Sequence, residues 1–229
     1  MGKENKSLDI FGLGDLAKSI PPSVYEQTMT TITSTFEKII SPLTETTYGI
    51  GRLIKQKFDN KVEIEKSLFI YALQQALEKI HSKGLSINQI TNPKNLTKIL
   101  DEVSQETDPL LNVLWINLLC SELTNQKAHP FFINTLSSLS AKEALLLESL
   151  NSFNDAGEKS VNVVTFPHSI KGFVKQNNGK VFEWDFSCKL LCEYGLAQTV
   201  TPGTYKRGQH IVILYRTSIG DEFLNAVKY

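Results

Sequence analysis

The chain has 229 residues, of which 21% are charged and 41% are hydrophobic, a composition in the range of globular proteins. Its 24 Lys and Arg residues balance 24 Asp and Glu residues. This composition excludes a disordered chain, and it excludes the basic excess that binding to nucleic acid or to an anionic membrane usually requires.

No targeting segment is evident at the start of the chain, because Met1 to Lys6 are not followed by the apolar core of a signal peptide. The longest mostly apolar run, Leu110 to Cys120, is shorter than the about 20 residues of a membrane-spanning helix. Three cysteines cannot all pair, as expected of reduced intracellular thiols. We therefore expect a cytoplasmic protein, with residues 1–22 as a flexible lead.

The first predicted helix begins after two prolines, Pro21 and Pro22. Ser23 and Glu26 then form a capping-box pattern, and apolar side chains recur at spacings of three and four residues, with an interruption at Pro42. One interpretation is a helical hairpin packed on the rest of the chain. The other is an arm for self-association or for contact with a membrane, whose candidate self-association stripe is Tyr25, Met29, Ile32, Phe36, Ile39, Leu43, Ile50 and Ile54.

Four more helices are predicted in the first part of the chain, over residues 61–82, 95–105 and 109–125 and from Pro130 onward. Residues 109–125 are apolar nearly all round, which is typical of a buried helix at the centre of a bundle. The pattern thus predicts a helical domain over residues 23–136.

The second part of the chain mixes helices with strands. Ser140 is a predicted N-cap, residues 161–165 alternate like a strand, and residues 181–194 form a predicted helix that ends at Gly195. Two predicted strands, 196–200 and 210–215, and a last helix, 219–227, follow. We therefore predict a mainly α protein with a small β-hairpin, in which an N-terminal helical bundle precedes a winged-helix-like domain over 137–229.

No arrangement of residues predicts catalysis. Residues 12–17 fit the letters G-x-G-x-x-A, but no βαβ unit surrounds them. Cys188 and Cys192 share one helix face, yet no C-x-x-C or paired histidines complete a zinc site, and no G-x-S-x-G elbow is present. We expect no enzymatic activity, no cofactor and no metal.

Winged helices often bind DNA, so the charge of the helix over residues 181–194 is informative. It carries a net charge of −2 from Glu183, Asp185, Lys189 and Glu193. Phosphate contact needs the opposite sign, and only the predicted wing tip is basic, at Lys206 and Arg207. Nucleic acid is therefore not an expected partner. In the alternative hypothesis, in which the domain binds DNA, Lys206 and Arg207 are the candidate contact.

Two segments carry a resemblance to a known family. Between Leu110 and Leu150, an apolar helix with Trp115 precedes a passage of the form H-P-x-F…L…LS-x-x-E-A-x-L-L that begins at His129. The end of the chain has the form L-T-x-x-G-x-x-F, with Arg216 where leucine is usual. With a similar opening over residues 40–51, the chain resembles the abortive infection alpha (Abi-alpha) family of bacterial antiphage-defence proteins.

The resemblance implies a role in phage defence that ends in death or arrest of the infected cell, and it brings no active-site residues. We expect a non-enzymatic protein that binds a protein, such as a phage component, and associates with itself. Two alternatives stay open. One is a membrane-permeabilising effector, which would join a membrane on activation. The other is a winged-helix regulator that binds DNA.

Overall fold

In the computed structural model, the structure describes residues 34, 36–38, 40–41, 48–87, 92–124, 128–150, 152, 165–166, 184–200 and 212–228. Over these residues the protein is mainly helical, as predicted, and has a small antiparallel sheet. The chain divides into two compact units, Met1–Ser137 with Val227–Tyr229, and Ser138–Ala226.

The first unit is built from helices. Residues 34, 36–38 and 40–41 are helical. The labelled helices that follow are α1 Tyr48–Asp59, α2 Glu63–Ser82, α3 Pro93–Val103, α4 Pro109–Leu123 and α5 Pro130–Leu136. The predicted helices over 61–82, 95–105 and 109–125 are confirmed to within two residues at each end, and the helix predicted from Pro130 begins there.

The ends of these helices follow from local sequence. Helices α3, α4 and α5 each begin with a proline, whose missing N–H and fixed φ suit the first helical position. The preceding side chain caps each helix: Asp108 accepts from the N–H of Leu110 at 2.9 Å, for example. Helix α2 is followed by Gly84 at φ +65°, the left-handed conformation that favours glycine.

Helix α4 forms the centre of the first unit. It packs against α2, α3 and α5. Most of its side chains are buried, which confirms the prediction from its apolar sequence, whereas Val113 is 46% exposed. The buried Asn117 is hydrogen-bonded on both sides: it accepts from Lys79 Nζ at 2.7 Å and donates to the carbonyl oxygen of Val227 at 2.7 Å.

Three aromatic rings pack beside α1 and α2. Phe36 stacks on Phe58 with ring centroids 3.8 Å apart, and Phe69 meets both rings at 5.8–6.0 Å in tilted or edge-on contacts. All three side chains are almost fully buried. The helical residues before α1 therefore contribute to the core of the first unit.

The second unit combines three helices with a three-stranded sheet. Its elements are α6 Ala141–Ser149, β1 Thr165–Phe166, α7 Asp185–Glu193, β2 Ala197–Val200, β3 Val212–Arg216 and α8 Ser218–Val227, of which the last residue, Val227, belongs to the first unit. The sheet has the order β1-β3-β2 and is antiparallel, with Gln198 opposite Tyr215 and Phe166 opposite Val212. The predicted strand pair 196–200 and 210–215 is thus confirmed, while residues 201–209 and 161–164 lie outside the described residues.

A close backbone contact fixes the start of α8. The hydroxyl of Thr217 donates to the carbonyl oxygen of Gly195 at 2.5 Å and accepts from the N–H of Gly220 at 3.0 Å. A Cβ atom on Gly220 would lie 2.2 Å from the carbonyl oxygen of Leu196. Glycine is therefore required at position 220, because any side chain would force α8 away from the segment before β2.

Arg216, at the end of β3, connects three parts of the second unit. Its Nη1 donates to the carbonyl oxygen of Leu150 at 2.8 Å, and its Nε donates to Asp221, which also accepts from the hydroxyl of Ser152. Desolvation opposes ionisation of Asp221, but these hydrogen bonds and the charge of Arg216 outweigh it, so the pKa of Asp221 lies below its usual value.

Candidate functional site

Helix α7 is held in place by its inward side. The buried Ser187 donates to Glu143 Oε1 of α6 at 2.6 Å, and the N–H of Ser140 donates to Glu143 Oε2 at 2.9 Å. Desolvation alone would raise the pKa of Glu143, but the hydrogen bonds from Ser140 and Ser187 outweigh it and lower the pKa below its usual value. Glu143 is therefore an ionised anchor between α6 and α7.

The outward side of α7 presents an aromatic ring to solvent. Phe186 is 70% exposed, more than any other large hydrophobic side chain of the described residues. Positions 186, 189, 190 and 193 share one side of a helix. This surface, called the α7 face below, consists of Phe186, Lys189, Leu190 and Glu193.

The charges near Phe186 do not favour phosphate. Lys189 Nζ lies 2.5 Å from Asp185 Oδ2, an ion pair one helical turn apart, and Glu193 adds a further negative charge. The anionic backbone of a nucleic acid would therefore meet one lysine on this helix, Lys189, and that lysine is already ion-paired with Asp185. The other predicted DNA contacts, Lys206 and Arg207, lie outside the described residues.

The sequence pattern contains the information needed to find Phe186. Ser187, Cys188 and Leu191 form the buried side of α7, so Phe186 falls on the side occupied by Lys189 and Glu193. The alternation of buried and polar positions therefore predicts that the Phe186 ring is exposed, although a single exposed apolar side chain is common on protein surfaces. The prediction from sequence considered only the charges of this helix and missed Phe186.

Only part of the candidate self-association stripe lies within the described residues. Phe36 and Ile54 are each 1% exposed and lie in the core of the first unit, as a hairpin packed on its own chain requires. Ile50 belongs to α1. The other predicted members, Tyr25, Met29, Ile32, Ile39 and Leu43, lie outside the described residues, so self-association through the stripe stays a prediction.

The cysteines are not arranged for chemistry. Desolvation by burial raises the pKa of Cys120 to about 11 and that of Cys188 to about 12, and it also raises the pKa of Cys192. Among the described residues, no group of three or more His, Cys, Asp and Glu side chains is placed to hold a metal ion. Within the same ranges, no helix is long and apolar enough to cross a membrane.

The residues that carry the family resemblance have structural roles. The ring nitrogen Nδ1 of His129 accepts from the N–H of Phe131 at 3.1 Å and caps α5. Ser140 and Glu143 form the capping box of α6. Thr217 and Gly220 set the start of α8, as described above.

Comparison with known proteins gives one match. A family model described as abortive infection alpha matches residues 68–227 of the 229-residue chain. The matched range includes most of α2, all of α3 to α8 and all the motif residues just described, but not the similar opening over residues 40–51. No curated protein and no solved structure matches the chain.

Proposed function

The chain belongs to the abortive infection alpha family, and from this membership we propose that it protects bacteria from phage by causing death or arrest of the infected cell. The observation that carries the proposal is the family match over residues 68–227. In such a response the infected cell stops supporting phage growth, so that neighbouring cells survive.

We further propose that the protein acts by contact with another protein, such as a phage component, rather than by catalysis. The support is the α7 face, where Phe186 is 70% exposed beside a lysine that is already paired with Asp185. Exposed aromatic side chains are frequent binding hot spots, because their burial by a partner contributes a large apolar area.

The proposal includes no catalytic step. In support of this, two carboxylates among the described residues of the second unit are engaged in its fold: Glu143 holds α6 and α7 together, and Asp221 binds Arg216 and Ser152. The high pKa of Cys188 keeps its thiol protonated and a poor nucleophile at neutral pH.

We also propose that the second unit is a winged-helix-like domain that presents α7 to a partner. Among the described residues of this unit, α6, β1, α7 and the strands β2 and β3 come in this order along the chain, and β1 pairs with β3, so that the sheet order is β1-β3-β2. This order supports the proposal of a winged-helix-like domain, in which α7 presents the exposed ring of Phe186 and a lysine that is paired with Asp185.

A plaque assay with matched variants tests the contact mechanism. Bacteria that express the wild type, Phe186→Ser or Val62→Ser are challenged with a phage panel. Val62 is 63% exposed and precedes α2, so its substitution changes an equally accessible apolar residue elsewhere. Loss of a hot-spot aromatic costs about 2 kcal/mol of binding, which weakens affinity by more than about tenfold.

We expect the wild type and Val62→Ser to reduce plaque formation and Phe186→Ser to lose this protection at equal protein level. Equal protection by Phe186→Ser and the wild type would show that the α7 face does not make the contact. Entry of a membrane-impermeant dye into infected cells before growth arrest would favour the membrane-permeabilising alternative.

A further inference from the structure

The first unit contains a small cavity that the proposed function does not use. It lies between α2 and the start of α4 and has a volume of about 130 Å³. Sites for whole small molecules occupy about 300–1,000 Å³, whereas a cavity of about 150 Å³ holds a single six-membered ring such as benzene. This cavity, called the α2/α4 cavity below, therefore has room for one side chain of a partner.

The α2/α4 cavity contains a carboxylate without a cationic partner. Glu106, between α3 and α4, lines the cavity, and its Oε1 accepts from the N–H of Asp108 at 2.8 Å. The Glu106 carboxylate forms no ion pair with any residue that the structure describes. Burial raises the pKa of Glu106, and the negative charges of Asp108 and Glu102 act in the same direction. A cation in the cavity would offset both effects.

Two other polar groups of the lining have unused hydrogen-bonding capacity. Asn112 is 8% exposed, and its Nδ2 donates to the carbonyl oxygen of Glu106 in a long hydrogen bond of 3.4 Å. Within the described ranges, nothing donates to Asn112 Oδ1, and the hydroxyl of Tyr71 has no hydrogen-bond partner. Buried polar groups of proteins are normally hydrogen-bonded, so the open amide oxygen indicates that a ligand supplies the missing donor.

The rest of the lining suits an aliphatic chain. Leu68 of α2 and Pro109 and Val113 of α4 provide apolar walls, and Val113 is 46% exposed. No lysine, arginine or histidine is among the lining residues. An alkyl chain that ends in an ammonium group matches this arrangement, because its methylenes contact the walls and its three N–H donors meet the three acceptors just described.

We propose that the α2/α4 cavity receives a lysine side chain of a partner protein. The ammonium group lies between Glu106, Asn112 and Tyr71, and the methylenes lie beside Pro109 and Val113. Lysine, with four methylenes and one nitrogen, fits the volume, whereas the larger guanidinium group of arginine does not. The contact uses residues of the first unit and none of the α7 face, so either proposal can fail without the other.

An NMR titration of the ¹⁵N-labelled full-length protein tests the proposal. The probes are N-acetyl-lysine methylamide and N-acetyl-norleucine methylamide, which has a similar apolar chain without the ammonium group. We expect the lysine probe to bind at least about tenfold more tightly, because only its ammonium group forms charge-assisted hydrogen bonds. Equal affinity of the two probes, or no shift of any amide signal at tens of millimolar lysine probe, would overturn the proposal.

A third probe distinguishes the source of the ammonium group. Putrescine is a free diamine that carries the same ammonium group on a chain of four methylenes. Weaker binding of putrescine than of the lysine probe supports a protein partner, whose backbone adds contacts at the mouth of the cavity. Tighter binding of putrescine would assign the cavity to a small amine and overturn the proposed partner.

Two variants assign the binding to the cavity. Glu106→Gln removes the negative charge but keeps an oxygen that can accept from the N–H of Asp108, and it should weaken binding of the lysine probe about tenfold. Tyr71→Phe removes only a hydroxyl group and should weaken it about threefold. This second variant preserves the test if Glu106→Gln alters the fold.

The matched control is Glu102→Gln. Glu102 is close enough to raise the pKa of Glu106, but it does not line the cavity. In about 0.15 M salt, which screens exposed charges over about 8 Å, we expect this variant to change the affinity for the lysine probe less than about twofold. Unchanged affinity in both Glu106→Gln and Tyr71→Phe, or an equal loss in Glu102→Gln, would contradict the assignment to the α2/α4 cavity.

Discussion

The buried Glu122 should make the stability of the first unit depend on pH. Its side chain lies in α4 and is 5% exposed. Desolvation by burial, partly offset by a hydrogen bond with Asn95, raises the pKa of Glu122 from 4.5 to about 7. Asn95 also donates to the carbonyl oxygen of Ala128 at 2.8 Å, so the acid belongs to a polar contact between α3, α4 and the segment before α5.

The direction of the effect follows from proton binding. The folded state holds the proton of Glu122 more tightly than the unfolded state does, so protonation stabilises the fold. This stabilisation is fully present below pH 4.5 and is lost as the pH rises through about 7. The difference between the two pKa values corresponds to about 3 kcal/mol.

The assay compares urea unfolding of the wild type and Glu122→Gln at several pH values between about 5 and about 8. Gln is uncharged and of similar size, so the variant lacks only the ionisation. Trp115 lies in α4 and reports on the first unit, and a Trp184→Phe background removes the signal of the second. As the pH rises across this range, we expect the free energy of unfolding of Glu122→Gln to increase by about 2–3 kcal/mol relative to that of the wild type.

Two features keep the assay specific. The pKa of Glu106 is also raised, mainly by desolvation, but Glu106 is present in both proteins and cancels in the difference. Glu193→Gln, at an exposed position of α7, is the matched control and should show no such gain. A stability difference between the wild type and Glu122→Gln that is the same at low and high pH would show that the ionisation of Glu122 does not destabilise the fold.

Three further changes test the packing. Gly220→Ala should lower the free energy of unfolding by about 3 kcal/mol, because the new Cβ meets the backbone oxygen of Leu196. Wild-type stability of this variant in chemical denaturation would contradict the contact. Arg216→Met should lower the free energy of unfolding by about 2 kcal/mol, because the hydrogen bonds of Arg216 are lost. It should also make stability less sensitive to acid, because the lowered pKa of Asp221 stabilises the fold by an amount that is lost as the pH falls. Stability curves below pH 5 measure both effects. Phe36→Ala should cost about 3–5 kcal/mol in thermal or urea unfolding, whereas unchanged stability would mean that Phe36 serves self-association instead.

Local sequence determines much of what could be predicted. Helix positions followed from apolar spacing, and several ends followed from Pro130, from the N-cap Ser140 and from the glycines at 84 and 195, all of which act within one turn of chain. The start of α3 at Pro93, with Asn92 as its N-cap, was not predicted. The buried nature of α4 followed from its all-round apolar sequence, because such a helix has no face that favours water.

Contacts between distant residues could not be predicted in the same way. Arg216 departs from the leucine expected at its position, and only the fold brings it to Leu150 and Asp221. The same holds for Asp101, which meets Lys57 and Lys61 across about 40 residues of sequence. Such pairs depend on how helices pack, and a single sequence contains no periodic pattern that indicates them.

Culture survival under phage attack shows whether the protein acts by abortive infection and whether the α7 face is needed for it. Bacteria that express the wild type, Phe186→Ser or Val62→Ser are infected at a low and at a high ratio of phage to cells, and growth and phage yield are followed. We expect wild-type and Val62→Ser cultures to survive at the low ratio, to collapse or arrest at the high ratio and to release few phage, whereas Phe186→Ser cultures are lysed at both. Survival of the wild-type culture at both ratios would contradict abortive infection, and protection by Phe186→Ser equal to the wild type would contradict the role of the α7 face.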